Sequence, residues 1–225
     1  MSDTDSFIDE VNEEVRRDRL YFMLRRYGWI AGLAVVIIVG GAAWSEYRKA
    51  QAAARAQALG DSILASLEQN DAAARLENLE SVDAETAGAE AVLALLQATE
   101  AQQAGDAETA TDILGALAVN GEVPDIYRQI AAFKSLVIGA ETLPDATRRQ
   151  QLEALANPGS PLALLAQEQL ALMDINAGET QRAIDTYQSI MQSAGVSSGL
   201  QQRALQAIVA LGGTPEVSNL PDVAN

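Results

Sequence analysis

The chain has 225 residues and neither cysteine nor histidine, which excludes disulfides, thiol chemistry, imidazole acid–base catalysis and nearly all zinc sites. Its formal charge is −16, and the imbalance lies past residue 45: seven acids face five bases up to that point, 24 face ten beyond it. A surface that acidic repels nucleic acid and anionic lipid headgroups, so no nucleic-acid partner is expected. Only 4% of residues are aromatic, and alanine and leucine dominate. That mix favours helices, because alanine loses no side-chain entropy in a helix and leucine loses little.

Residues 1–26 form a short N-terminal segment. Phe7, Val11 and Val15 recur at helical spacing, and Leu20 to Leu24 is an apolar run between arginines. This predicts a short amphipathic helix leading into a long apolar stretch.

Residues 27–47 read as a transmembrane helix. From Tyr27 to Ser45 there are 19 residues without a charge, with a branched centre at Val35, Val36, Ile37, Ile38 and Val39. At 1.5 Å per residue they span about 28 Å, close to a hydrocarbon core of about 30 Å. Tyr27 and Trp29 stand at one end, Trp44 and Tyr47 at the other. Such rings, apolar in body and polar at the tip, settle at the two membrane interfaces. Five arginines precede the span (Arg16, Arg17, Arg19, Arg25, Arg26), and Arg48, Lys49 and Arg55 lie beyond it. The excess of bases places the N-terminus in the cytoplasm. Gly41, Ala42 and Ala43 could serve a signal-peptide cleavage site, but a leader with seven acids is unlike a signal n-region, and the span exceeds a usual signal core. The expectation is an uncleaved anchor.

Residues 48–211 read as an all-helical domain. The span's helix is expected to continue to about Gln69. Apolar periods of 3–4 residues then predict helices near 85–104, 106–118, 125–139, 145–156, 161–177, 179–193 and 200–211. Ile126, Ile130, Phe133 and Val137 are one such stripe. Pro124-Asp125 and Pro144-Asp145 are natural helix starts, and Ser160-Pro161 reads as a cap with a first-turn proline. No alternating pattern predicts a strand. The tail, 212–225, holds two prolines and is expected to be disordered.

Short helices joined by short turns suggest stacked hairpins, since none can bury its stripe alone. Leu170 and Ala171 lie eight and seven residues before Gly178; Ala183 and Tyr187 lie five and nine after it. That spacing matches the tetratricopeptide pattern. Around Gly105 the same template finds Gln97, Ala98, Ala110 and Leu114. The two glycines are 73 residues apart, near two repeats. The hairpin between them, about 125–156, lacks the turn glycine and is degenerate. The predicted fold is therefore all-α: one N-terminal transmembrane helix followed by a tetratricopeptide-like helical-hairpin solenoid.

With the anchor Trp29–Trp44 and Glu46-Tyr47-Arg48, the hairpin Ala98–Leu117 with Gly105-Asp106, and Leu170–Tyr187, the chain resembles the YfgM-like ancillary subunit of the Sec translocon. The resemblance implies a bacterial inner-membrane protein with its domain in the periplasm, contacting the translocon and a membrane-anchored prolyl isomerase that acts as a chaperone. The alternative is an envelope scaffold in division or outer-membrane assembly. Either way the expected role is non-enzymatic protein binding, with no cofactor, metal or small-molecule substrate. A catalytic reading would have to draw on Lys49, Lys134 or acids such as Glu100, Asp106 and Asp112, and nothing in their spacing singles them out. Tyr127, Phe133 and Tyr187 are read as core rather than groove residues, because each lies on or beside an apolar stripe.

The topology is testable directly. A reporter active only in the periplasm should be active when fused after Asn225 and silent when fused before residue 20. The reverse pattern would contradict the orientation.

Overall fold

The computed structural model describes residues 3–216, with side chains from Arg25 onward except that of Ala31. Residues 217–225 of the tail, and the side chains of Phe7, Val11, Val15 and Leu20–Leu24, lie outside the described part. The chain divides into two compact units, one running to Gly60 and one from Asp61 onward.

The first unit is built on one helix. α1 runs from Asp3 to Leu67 without a break, ending within two residues of its expected limit. The chain has no proline before Pro124, and Gly40-Gly41 is absorbed inside the helix.

The second unit begins with the last turn of α1, where Ser66 is buried and its hydroxyl donates to the Ser62 carbonyl at 2.9 Å. Eight helices succeed it: α2 (Ala72–Glu80), α3 (Ala87–Gln103), α4 (Ala107–Val119), α5 (Asp125–Ile138), α6 (Asp145–Leu155), α7 (Ala163–Asn176), α8 (Thr180–Gln192) and α9 (Ser198–Ala210). No strand occurs among the described residues. Their starts are chemically marked. Asp71, Thr86, Asp106 and Ser197 each accept a backbone N–H three residues on, satisfying a donor that the first turn leaves free. Pro124 and Pro144 stand immediately before α5 and α6, followed by Asp125 and Asp145 in the first turn.

Two local expectations change. α2 lies outside the helices that the apolar periods predict: at nine residues it is too short for a legible period, although Asp71 caps it. α7 starts at Ala163, not at 161, because the Ser160 hydroxyl accepts the Leu162 N–H and closes a tight turn around Pro161 first.

Each helix packs on its neighbours in sequence, from α2 on α3 through to α8 on α9, and α3 also meets α5. Three cores result. One gathers α3, α4 and α5 around Ala98, Ala110, Leu114 and Ala131; a second joins α5, α6 and α7 through Leu136, Leu152, Ala166 and Met173; a third joins α7, α8 and α9 through Ala171, Ala183, Tyr187 and Ile208. The degenerate middle hairpin turns differently. A single 3-10 turn, Gly139–Glu141, comes after α5, and Gly139 keeps a negative φ. A Cβ there would stand 3.1 Å from Leu143 Cδ1, so this glycine makes room for a side chain and does not supply a left-handed turn. After α9, the Gln188 amide donates to the Thr214 carbonyl and its oxygen accepts the Glu216 N–H, which lays residues 214–216 along α8.

The cores rest on alanines with no exposed surface. Ala110→Leu should therefore cost about 1–3 kcal/mol by overpacking, whereas Ala116→Leu, on the exposed side of the same helix, should change stability by less than about 0.5 kcal/mol. Thermal melts of the two variants followed by circular dichroism check this.

Candidate functional site

The two hairpins singled out by sequence share one geometry. Gly105 and Gly178 both have positive φ, +84° and +77°, a conformation glycine adopts without steric cost. Around Gly105, the Ala104 N–H donates to the Glu100 carbonyl, Gly105 to Gln102 and Asp106 to Ala101. Around Gly178, the Ala177 N–H donates to Met173, Gly178 to Ile175 and Glu179 to Asp174. Every donor and acceptor in the second set is displaced by 73 residues from the first, and the helix-opening bonds Ala110 to Asp106 and Ala183 to Glu179 keep that offset.

The side chains keep the same register. Ala98, Ala110, Ala171 and Ala183 are completely buried, as is Leu114, and Tyr187 is 2% exposed. Burial is the main cause that pushes the Tyr187 phenol up from its ordinary value, and the nearby Glu168 charge adds to it. Gln97 and Leu170 each reach back to preceding helices. The Gln97 amide donates to the Leu79 carbonyl of α2, and Leu170 packs into the core shared with α5 and α6.

Charge then ties helix to helix. Glu100 is nearly buried and accepts Arg75 Nε at 2.6 Å; the same guanidinium donates to Gln103 Oε1 and to the carbonyls of Gln69 and Asn70. Asp174 is nearly buried and meets two cations, Arg149 from α6 at 2.7 Å and Arg182 from α8 at 2.8 Å. Glu168 takes both forks of Arg203 from α9, at 2.7 and 2.8 Å. These hydrogen bonds hold Arg182 and Arg203 above the ordinary guanidinium value. Arg148 donates Nε to the Leu136 carbonyl, and Lys134 donates to Thr99 Oγ1 at 3.2 Å, joining α5 to α3. Sequence reasoning finds none of these pairs. Apart from Arg182 with Asp174 and the Arg75 bonds to the Gln69 and Asn70 carbonyls, the partners lie 12 to 35 residues apart, and no local spacing reveals them.

Two of the three acids weighed for catalysis have structural duties. Glu100 pairs with Arg75, Asp106 caps α4, and Asp112 is exposed. Lys49 pairs with Glu46 on the surface of α1. Tyr127 and Phe133 pack against the cores, in keeping with their reading as core residues.

On α1, one stretch among the described residues, Arg25–Leu67, is long and apolar enough to cross a membrane, and its apolar window is wholly unburied. Tyr27, Trp29, Trp44 and Tyr47 all stand exposed on it. The Trp44 and Tyr47 rings lie 6.2 Å apart, and the Arg26 guanidinium sits 6.0 Å from the Tyr27 ring centre. Compared with protein-family models, curated proteins and solved structures, the chain matches none.

The cap at Asp106 carries a pH signature. Its carboxylate accepts the Thr109 N–H first and the Thr109 hydroxyl second, and these bonds hold its pKa below the usual carboxylate value. A lowered folded-state value contributes stability above the unfolded pKa, and that contribution is lost as pH falls through the folded one. Asp106→Asn keeps an acceptor oxygen but cannot titrate. The advantage of the native chain over this variant should shrink between pH 5 and pH 2, as read from denaturant midpoints.

Proposed function

We propose that this chain is a non-enzymatic, membrane-tethered protein-binding module. In this reading residues 27–47 cross the bacterial inner membrane as a single span, the N-terminus is cytoplasmic, and residues 48–211 form a tetratricopeptide-like solenoid in the periplasm. The observation that carries it is the pair of hairpins around Gly105 and Gly178, whose turn bonds and buried alanines repeat at an offset of 73 residues. Repetition of that kind is how solenoids build extended surfaces for peptides or helices. The uncovered apolar stretch of α1 supports the tether. Bilayer is the medium in which Trp29, Val35 to Val39 and Trp44 cease to be exposed to water.

A tether raises the effective concentration of a binding surface beside integral partners and emerging chains. The resemblance to the YfgM-like subunit makes the Sec translocon and a membrane-anchored periplasmic chaperone the partners of choice. Photoreactive residues placed along 85–211 in living cells should trap translocon components, the anchored chaperone or translocating clients. Release of the domain as a free periplasmic form should weaken capture. Crosslinks confined to division or outer-membrane assembly proteins would transfer the module to an envelope scaffold. Absence of capture from either form would contradict protein binding.

A further inference from the structure

α5 does not bury the stripe its sequence advertises. Its buried residues are Ala131 and Leu136. Ile126 and Val137, the two ends of the stripe, are 42% and 39% exposed, and Ile130 between them is only half-buried. Lys134 falls on the same face, four residues beyond Ile130, and its ammonium donates to Thr99 Oγ1 of α3. Thr99 shares a face of α3 with Leu96, half-buried, and Val92, 39% exposed, at spacings of three and four. The Lys134–Thr99 bond thus brings two partly open apolar faces side by side, one from each helix.

The charge around this surface is one-sided. Residues 56–138, which hold α2 to α5, carry 14 acids and three bases, whereas residues 139–225 carry nine acids and four bases. Of the three bases, Arg75 is bound to Glu100, Arg128 to Asp125, and Lys134 to the Thr99 hydroxyl. Glu90 on α3 is exposed beside the apolar positions, and Asp125 at the start of α5 is exposed and paired with Arg128. An apolar strip on a part of the chain with so large a net negative charge matches a ligand with an apolar face and cationic flanks.

We propose that the α3–α5 face, centred on Val92, Ile126 and Val137, is the docking site for a basic amphipathic helix of a partner protein. This rests on the protein-binding reading and assigns it a surface and a partner chemistry. The apolar side of the partner helix covers the three aliphatic side chains, and its lysines or arginines meet the carboxylates of α2–α4. Such a complex weakens with salt, because much of its attraction is between exposed charges.

The test uses the full chain in nanodiscs of zwitterionic lipid, with empty discs as the reference. Two labelled 18-residue probes share one helical pattern, leucine on one face and either lysine or glutamate on the other. The lysine probe should bind at least tenfold more tightly than the glutamate probe. Its affinity should fall several-fold between 50 and 300 mM salt. The triple variant V92S/I126S/V137S should weaken it at least tenfold while the helical content is retained, since none of the three side chains lies in a core. Failure of the lysine probe to bind, equal binding of both probes, or an unaltered triple variant would overturn the proposal. A dimer in mass photometry that the triple variant dissociates, without probe binding, would make a second copy the occupant and overturn it as well. Photocrosslinks from α8 and α9 but none from positions 92, 126 and 137 would refute this site while leaving protein binding intact.

Discussion

The second unit depends on how closely two helix backbones can approach beside a left-handed glycine. At Gly105 and Gly178 the chain reverses within a few residues, so the helices on either side are pressed together from their first turns. Only small side chains fit between backbones so placed. Ala98 and Ala110 in one hairpin, and Ala171 and Ala183 in the other, meet that demand with no surface left exposed. The larger residues, Leu114 and Tyr187, come one turn after the alanine in α4 and α8, where the helices have room for them. That constraint sets the hairpin shape, the three cores and the stack.

Beside the apolar cores, ion pairs join several of the helices. A carboxylate buried on α3 or α7 keeps its charge at tolerable cost only if it is paired and hydrogen-bonded. Glu100, Glu168 and Asp174 each satisfy this with an arginine from another helix. Against an apolar contact of equal size such pairs add little net stability. Their value lies in direction: the two-forked Arg203–Glu168 contact links α9 to α7 with a defined geometry that aliphatic contacts lack.

Sequence makes the helices legible because their ends carry local chemistry. Asp106, Pro124, Pro144, Gly105 and Gly178 are each visible without tertiary knowledge, and seven helices fall within two residues of their expected bounds. α2 escapes because nine residues offer barely two apolar recurrences. The ion pairs escape because most link residues distant in sequence. The stripe Ile126–Ile130–Phe133–Val137 is the instructive case. Its period correctly announces a helix, but period alone does not tell a face packed on the chain's own core from one left open. Only Phe133 of the four is packed into a core with α6 and α7, and the exposed ends, Ile126 and Val137, belong to the candidate docking face. In the middle hairpin, absence of a turn glycine reads as degeneracy; physically it is another turn, in which Gly139 gives way to Leu143.

A chain without cysteine lets the stacking be measured with introduced pairs and no background. Cysteines at Thr99 and Lys134 report whether α5 lies on α3, and cysteines at Glu168 and Arg203 report whether α9 lies on α7. A short bismaleimide applied to the folded full-length chain should join each pair rapidly and within one molecule. The mixed pair at Thr99 and Arg203, on helices that do not adjoin in the stack, should remain unjoined. Equal joining of all three pairs, or joining of the mixed pair alone, would contradict an ordered stack of hairpins.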